Sequence, residues 1–316
     1  MAYRIIRPAS HEEWLAERKK GIGSSEAGTI MGVNHFDTPY RLWRRKMEID
    51  GPIEGNEAME LGHQMEPAVA SMFALRTGYE IDRKSEGDWI AVDTKKDHRR
   101  VSPDRIYFLP GEAHVRKNQH ILECKTTSVA VTKDDIPEYW YCQLQYQMGV
   151  LGVKSGALAW ITSSPRLHFD YLEVEFNEPF FNALIAEIDS FWEVNVKGGM
   201  APEDMNADDT LLRCPRASEG EVAEADEAVQ DDYNGLKQVI ASIKALEETK
   251  SSLEDSLKKA MGTAETLMTP SGTVLAQWRN TKESQRFNPK SFLAADPEGY
   301  AKYVETIPGG RRFTVK

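Results

Sequence analysis

Three charged residues stand out by the company they keep. The stretch "VSPDRIYFLPGEAHVRKNQHILECKTTS", Val101 to Ser128, places Asp104 after Ser-Pro. It then sets Glu123 and Lys125 inside the apolar run Ile121-Leu122-Glu123-Cys124-Lys125. Charge in such a run is costly unless it is paired or holds a cation. Residues two apart in a strand share a face, so Glu123 and Lys125 project together and Cys124 projects to the other side. A hairpin through the basic loop Gly111 to Asn118 brings Asp104 close to Glu123. Two close carboxylates repel unless a cation lies between them. A hard divalent ion such as Mg²⁺ takes oxygens from one or two carboxylates plus a substrate phosphate. A lysine beside it can orient a water and stabilise charge at phosphorus. The chemistry these residues suit is metal-assisted hydrolysis of a phosphodiester. Asp plus Glu-x-Lys is by itself a weak motif, and an ion pair on an exposed strand is the competing reading.

The surrounding pattern supplies elements to position that site. Ser10 and Glu13 form a capping box for a short helix over His11 to Lys20. Gly21 and Gly23 mark a turn, after which Ser24 or Ser25 caps a second helix to about Met31. Tyr40 to Met47 reads as a third. Glu57 to Thr77 is a longer helix, with Met59, Leu61, Met65, Val69, Phe73 and Leu75 apolar and Gly78 ending it. Strands are expected at Tyr79 to Asp82, Trp89 to Asp93, Arg105 to Leu109 and Gln119 to Lys125. Pro137 opens a helix to about Gly149. "SGALAWITS" and "FDYLEVEF" alternate like strands, and Pro179 to Val196 returns to helical spacing.

A polar break at Gly198 to Cys214 suggests a boundary. Four segments are therefore expected: a core over 1–200, a linker over 201–218, a coiled-coil-like helical segment over 219–262, and a small α+β appendage over 263–316. Asn234-Gly235 is a candidate interruption of the helical segment. In the appendage, a hairpin around Pro270-Ser271-Gly272 precedes a helix from Pro289 to Val304 and the strand-like end "RRFTVK".

Bulk properties set limits on function. Hydrophobic residues make up 41% of 316, enough for a substantial core. No apolar run approaches a membrane span, and "MAYRIIRPASHEEW" lacks the apolar core of a signal peptide. Cys124, Cys142 and Cys214 form no CxxC, so reduced thiols in a cytoplasmic protein are expected rather than zinc or an iron–sulfur cluster. The formal net charge of −11 argues weakly against nucleic acid, but basic clusters occur at Arg44-Arg45-Lys46, Lys95 to Arg100 and Arg311-Arg312. Each such cluster is more often a solvated face than a binding patch.

Five blocks, in order, carry a resemblance: "EWLAERKKGIGSSEAGTIMG", "LGHQMEPAVASMF", "SPD", "LECK" and "PEYWYCQLQYQMGVLG". Together they resemble the lambda exonuclease or YqaJ-type viral recombinase family within the PD-(D/E)XK nucleases, over about Trp14 to Val196. Two departures are Arg105, where the family often has glycine, and the long basic loop Pro110 to Asn118. The resemblance implies an α/β (α+β) restriction-endonuclease-like core, a central mixed sheet flanked by helices, with a C-terminal extension. It implies Asp104 and Glu123 as metal ligands, with the Cys124 carbonyl and Glu66 completing the set, and Mg²⁺ as cofactor with Mn²⁺ able to substitute. Lys125 would be the catalytic lysine and Gln143 would orient it or the attacking water. Gln145 lies next in the same motif and is carried with the DNA-binding residues. Arg18 and Ser25 would hold a terminal 5′-phosphate, as guanidinium and helix-terminal hydroxyl groups suit an anion.

The function so implied is 5′-to-3′ digestion of double-stranded DNA from its ends, leaving a 3′ single strand for phage-type recombination. A homotrimer, a single-strand annealing partner and a bacterial host cytoplasm follow from the same resemblance. A structure-specific endonuclease of the same fold is the alternative, and it would cut closed circles. A non-catalytic DNA-binding module would normally have lost Glu123 or Lys125. The extension from Glu219 to Lys316 is open to assembly, partner binding, extra DNA contact or plain packing.

Overall fold

The computed structural model describes residues 2–51, 55–164, 166–307 and 309–316. The chain divides into two compact units, Met1–Arg213 and Cys214–Lys316.

In the first unit the elements run β1 (Tyr3–Ile6), α1 (His11–Lys19), a 3₁₀ turn Ser24–Glu26, α2 (Ala27–Ile30), α3 (Pro39–Lys46), α4 (Glu57–Thr77), β2 (Glu80–Ile81), β3 (Ile90–Asp93), β4 (Arg100–Val101), β5 (Arg105–Phe108), β6 (His120–Thr127), α5 (Glu138–Leu151), β7 (Ser155–Thr162), β8 (His168–Glu175), α6 (Glu178–Ser190) and α7 (Ala207–Arg213). A five-stranded sheet has the order β2-β5-β6-β7-β8, and β6 and β7 are its one parallel pair. The long crossover through α5 allows that pairing. A second sheet, β1-β3-β4, is antiparallel. The central mixed sheet flanked by helices is the α/β class expected.

Strand alternation builds two cores from one sheet. On one face Leu122, Cys124, Ala157 and Ala159 pack with Tyr107 against Val69, Ala70 and Phe73 of α4. On the other, Ile121, Leu158 and Trp160 pack with Leu144 and Met148 of α5 and with Phe181, Leu184 and Ile188 of α6. Helix α5 comes close to α6 at Gly149, where an added Cβ would lie 2.1 Å from the Phe181 ring. Helix α4 starts at the Asn56 cap and ends at Gly78, whose φ of 74° suits glycine. Trp43 and Trp140 are core residues.

Several boundaries differ from the sequence reading, each for a physical reason. Strand β1 was not anticipated, because its partner β3 lies 84–90 residues away, with Tyr3 opposite Asp93 and Ile6 opposite Ile90. The expected helix from Ser24 to Met31 is a 3₁₀ turn followed by four α-helical residues. The stretch 201–218 contains α7, and its Asp209 is buried and accepts the Thr38 hydroxyl at 2.9 Å. That buried contact makes α7 part of the first unit.

The second unit contains α8 (Glu227–Met261), a hairpin of β9 (Thr266–Met268) and β10 (Val274–Gln277), α9 (Pro289–Ala295) and α10 (Pro297–Ala301). Asn234-Gly235 does not break α8. One helical glycine costs about 1 kcal/mol, which 35 residues of helix can absorb. The helix starts at Asp226, whose carboxylate accepts Val229 N–H at 2.9 Å, so the acidic run before it lies outside. The single helix expected over Pro289 to Val304 is two. Pro297 lacks a donor, and Asp296 before it sits at φ −143°, ψ 81°. "RRFTVK" forms no strand.

Candidate active site

The hairpin of β5 and β6 sets the register of the site. Arg105 pairs with Leu122, so Asp104 comes level with Glu123. One Asp104 oxygen, Oδ2, accepts the Cys124 N–H at 2.7 Å. Glu123 and Lys125 share the face turned to α5, and Cys124 is buried on the α4 face, as period-two alternation requires.

Glu123 is only 2% exposed, yet each of its oxygens is bonded. Oε1 accepts Lys125 Nζ at 2.7 Å and the Gln143 amide. Oε2 accepts Gln147 Nε2 at 2.8 Å. Gln143 in turn accepts Lys125 Nζ at 2.8 Å, closing a triangle of carboxylate, ammonium and amide. Burial opposes the charged lysine, but Glu123 and Asp104 outweigh it and hold Lys125 above its ordinary value. Burial, then Glu123 and Glu66, push the Asp104 carboxyl well above the usual carboxylate range, against the pull of Lys125 and the Cys124 N–H.

Glu66 on α4 bonds His63 Nδ1 at 2.8 Å and faces the site through its charge on Asp104 rather than by direct contact. Among the described residues no three His, Cys, Asp or Glu side chains form a finished metal cage. The donor chemistry nevertheless fits a hard cation. Asp104 and Glu123 are oxygen donors level with each other, and burial first, then the charges of Glu123 and Glu66, raise Asp104.

A second group lies beside this one. Arg18, in the last turn of α1, donates to Ser25 Oγ at 2.9 Å, and its guanidinium lies 4.7 Å from the centre of the Trp14 ring. An added Cβ at Gly23 would stand 3.3 Å from the Arg18 guanidinium. Glu26 sits 3.9 Å from Arg18 and receives the Gly23 N–H and Lys46 Nζ, each at 2.8 Å. Lys46 also donates to the carbonyls of Gly21 and Arg18, at 2.7 and 3.2 Å. Burial alone would raise the Glu26 carboxyl; Lys46 and Arg18 reverse this and hold it below its ordinary value. Helix α2 has only four residues, so the groups at this place that could attract an anion are the guanidinium and the serine hydroxyl rather than a helix end.

Gln147 links Glu123 to the turn that carries Ser25, through its neighbour Ser24. It is fully buried, and its Nε2 donates both to Glu123 and to Ser24 Oγ, the latter at 3.2 Å. Its Oε1 has no partner among the described residues, an expense of about 1–3 kcal/mol for a buried acceptor. Gln147 was missed in the sequence. The available signal was its i,i+4 spacing from Gln143, which puts both amides on one face of α5.

The structure thus brings together Asp104, Glu123, Cys124, Lys125 and Gln143, with Glu66 facing them and Arg18 and Ser25 adjacent. It does not bring Gln145 to either group. That side chain is buried on another face of α5, donating to Glu175 O and accepting Asn177 N–H, each at 2.9 Å. It fixes the turn between β8 and α6, and both ends of its amide are used there.

Residues 13–155 match the YqaJ-like viral recombinase domain, and all nine residues singled out in the sequence lie within them. The chain is 29% identical over 317 residues to the uncharacterized protein YqaJ of Bacillus subtilis (strain 168), across 97% of this chain and 94% of that one. The extension is therefore shared with that relative. Among solved structures, an alkaline exonuclease (LHK-Exo) from Laribacter hongkongensis covers 60% of this chain and 93% of its own, at 18% identity and a TM-score of 0.46. A phage-related exonuclease from Haemophilus somnus 129PT covers 61% and 95%, at 13% identity and a TM-score of 0.39.

Proposed function

We propose that the chain is a metal-dependent exonuclease that hydrolyses double-stranded DNA from a 5′-phosphorylated end, 5′ to 3′, leaving a 3′ single strand. One observation carries the reading: the Gln147 amide bonds both Glu123 and Ser24, the residue before Ser25, and so ties the strand bearing the carboxylate–lysine group to the turn that bears the proposed end-binding serine. The match to the YqaJ-like viral recombinase domain supports the coarser part of this reading, a nuclease acting on DNA.

In this mechanism Arg18 and Ser25 hold the terminal phosphate through charge-assisted hydrogen bonds. Asp104 and Glu123, with Glu66 behind them and the Cys124 carbonyl beside them, would hold Mg²⁺ or Mn²⁺. When bound, the ion supplies charge neutralisation at the phosphorus centre. Lys125 orients the attacking water and stabilises negative charge building on the phosphoryl oxygens. Gln143 keeps the Lys125 ammonium in place, and Gln147 fixes Glu123 relative to the pocket. By the same reading the protein works as a homo-oligomer in a bacterial cytoplasm with a single-strand annealing partner. No helix among the described residues is long and apolar enough to cross a membrane.

The test uses linear duplex and closed circular DNA, each with Mg²⁺ or with EDTA. The account expects Mg²⁺-dependent loss of the linear DNA while the circle survives. Cutting of the circle would replace it with an endonuclease, and no cleavage with any divalent metal would leave a binding module.

A further inference from the structure

From Trp278 to Lys316 the chain carries eight Lys and Arg against four Asp and Glu, in a protein of formal net charge −11. None of those eight cations is in an ion pair among the described residues. The basic clusters of the first unit behave otherwise. Arg44 pairs with Asp50, Arg45 with Asp37, Lys46 with Glu26, Arg99 with Asp189, and Arg100 with Glu17. Those five cations are held by internal carboxylates, whereas of the C-terminal eight only the Arg311 side chain is hydrogen-bonded within the unit among the described residues, to the Cys214 carbonyl at 3.1 Å.

The same stretch exposes flat aromatic rings. Phe287, Phe292, Tyr300 and Tyr303, with Val304, line an open pocket of 440 Å³. Phe292 of α9 lies 5.3 Å from Phe287, just before the helix, and 6.3 Å from Tyr300 across the Asp296-Pro297 break, between ring centres. Phe287 is 66% exposed and Tyr303 84%. Apolar groups clustered in this way on a surface mark an interaction site rather than a core.

Unpaired cations beside exposed ring faces match one ligand chemistry: a phosphate backbone carrying bases free to stack. A duplex satisfies only half of this, because its bases are already stacked on one another. We propose that Phe287 and Tyr303, flanked by Arg286, Lys290 and Lys302, form a binding site for single-stranded nucleic acid. The rings stack the bases in a sequence-tolerant way and the cations follow the phosphates. The proposal does not depend on the cleavage chemistry, and it gives the extension a role at a different place from the carboxylates.

The experiment measures fluorescence anisotropy of a labelled 5′-hydroxyl oligothymidylate with the full-length protein in EDTA, over a series of salt concentrations. Tyr303→Ala and Phe287→Ala remove exposed rings, so circular dichroism should be unchanged. Each is expected to weaken binding about tenfold, while Tyr303→Phe retains it. Lys290→Gln is expected to reduce the salt slope by about 0.7, the release of one counterion from a single strand. The proposal is overturned if wild type fails to bind, or if both ring variants bind as tightly as wild type. It is also overturned if Arg18→Ala alone abolishes binding, which would assign the strand to the nuclease pocket. Displacement by polyglutamate with no sensitivity to the ring variants would reassign the surface to acidic peptides.

Discussion

The surroundings of Glu123 and the surface of α8 treat charge and apolarity in opposite ways. Around Glu123, charge is buried and every charged group has a partner: lysine, two amides and a backbone N–H within 3 Å. Along α8, apolar side chains stand in solvent, with Val229 53%, Leu246 69% and Leu253 63% exposed. The first arrangement has its bonding partners within one unit. The second is a helix with an apolar side left uncovered by its own unit. Function in the first region is legible from its internal bonds, and function in the second depends on what meets its surface.

Mutations can break or sharpen that contrast. The largest effect is expected in the core that supports the site. Phe73→Ala removes a fully buried ring that packs on Tyr79, Tyr107 and Tyr171, and should cost about 3–5 kcal/mol in urea unfolding. Next comes Lys125→Ala, which removes the cation bonded to Glu123 and Gln143 that is proposed to act in catalysis. It should lower the rate of DNA cleavage about a hundred- to a thousandfold while DNA binding in EDTA persists. Retention of full activity would show that the Glu123–Lys125 pair is only structural. The smallest effect is expected on α8, where Leu246→Ala should change unfolding by less than about 0.5 kcal/mol, followed by circular dichroism. A much larger loss would mean that the apolar side is covered in solution, and the contrast between the two regions would narrow.

The sequence exposes these regions to different degrees. Asp104, Glu123 and Lys125 were readable because strand alternation and a hairpin follow from local rules, and a charge in an apolar strand announces itself. Gly78 ended α4 as its backbone freedom predicts. What escaped depended on distant contacts. The pairing of Tyr3–Ile6 with β3 leaves no local mark, nor does the bond from Gln147 to Ser24 across more than a hundred residues. Gln145 and Gln147 are equally buried amides two positions apart, and only the packing of α5 decides that one fixes a turn and the other bonds Glu123. The basic clusters looked alike in the sequence. Arg44 to Lys46 pair internally, whereas the C-terminal cations do not, because the acidic partners of the former come from other parts of the folded unit.

The most direct test of the joined site compares initial cleavage rates on linear duplexes with 5′-phosphate and 5′-hydroxyl ends, for wild type and Arg18→Ala. The account predicts that wild type prefers the phosphorylated end. It predicts that Arg18→Ala loses about tenfold of that preference, the worth of a charge-assisted contact, while cleaving the hydroxyl end as wild type does. Equal rates on both ends in wild type, or an undiminished preference in Arg18→Ala, would contradict it.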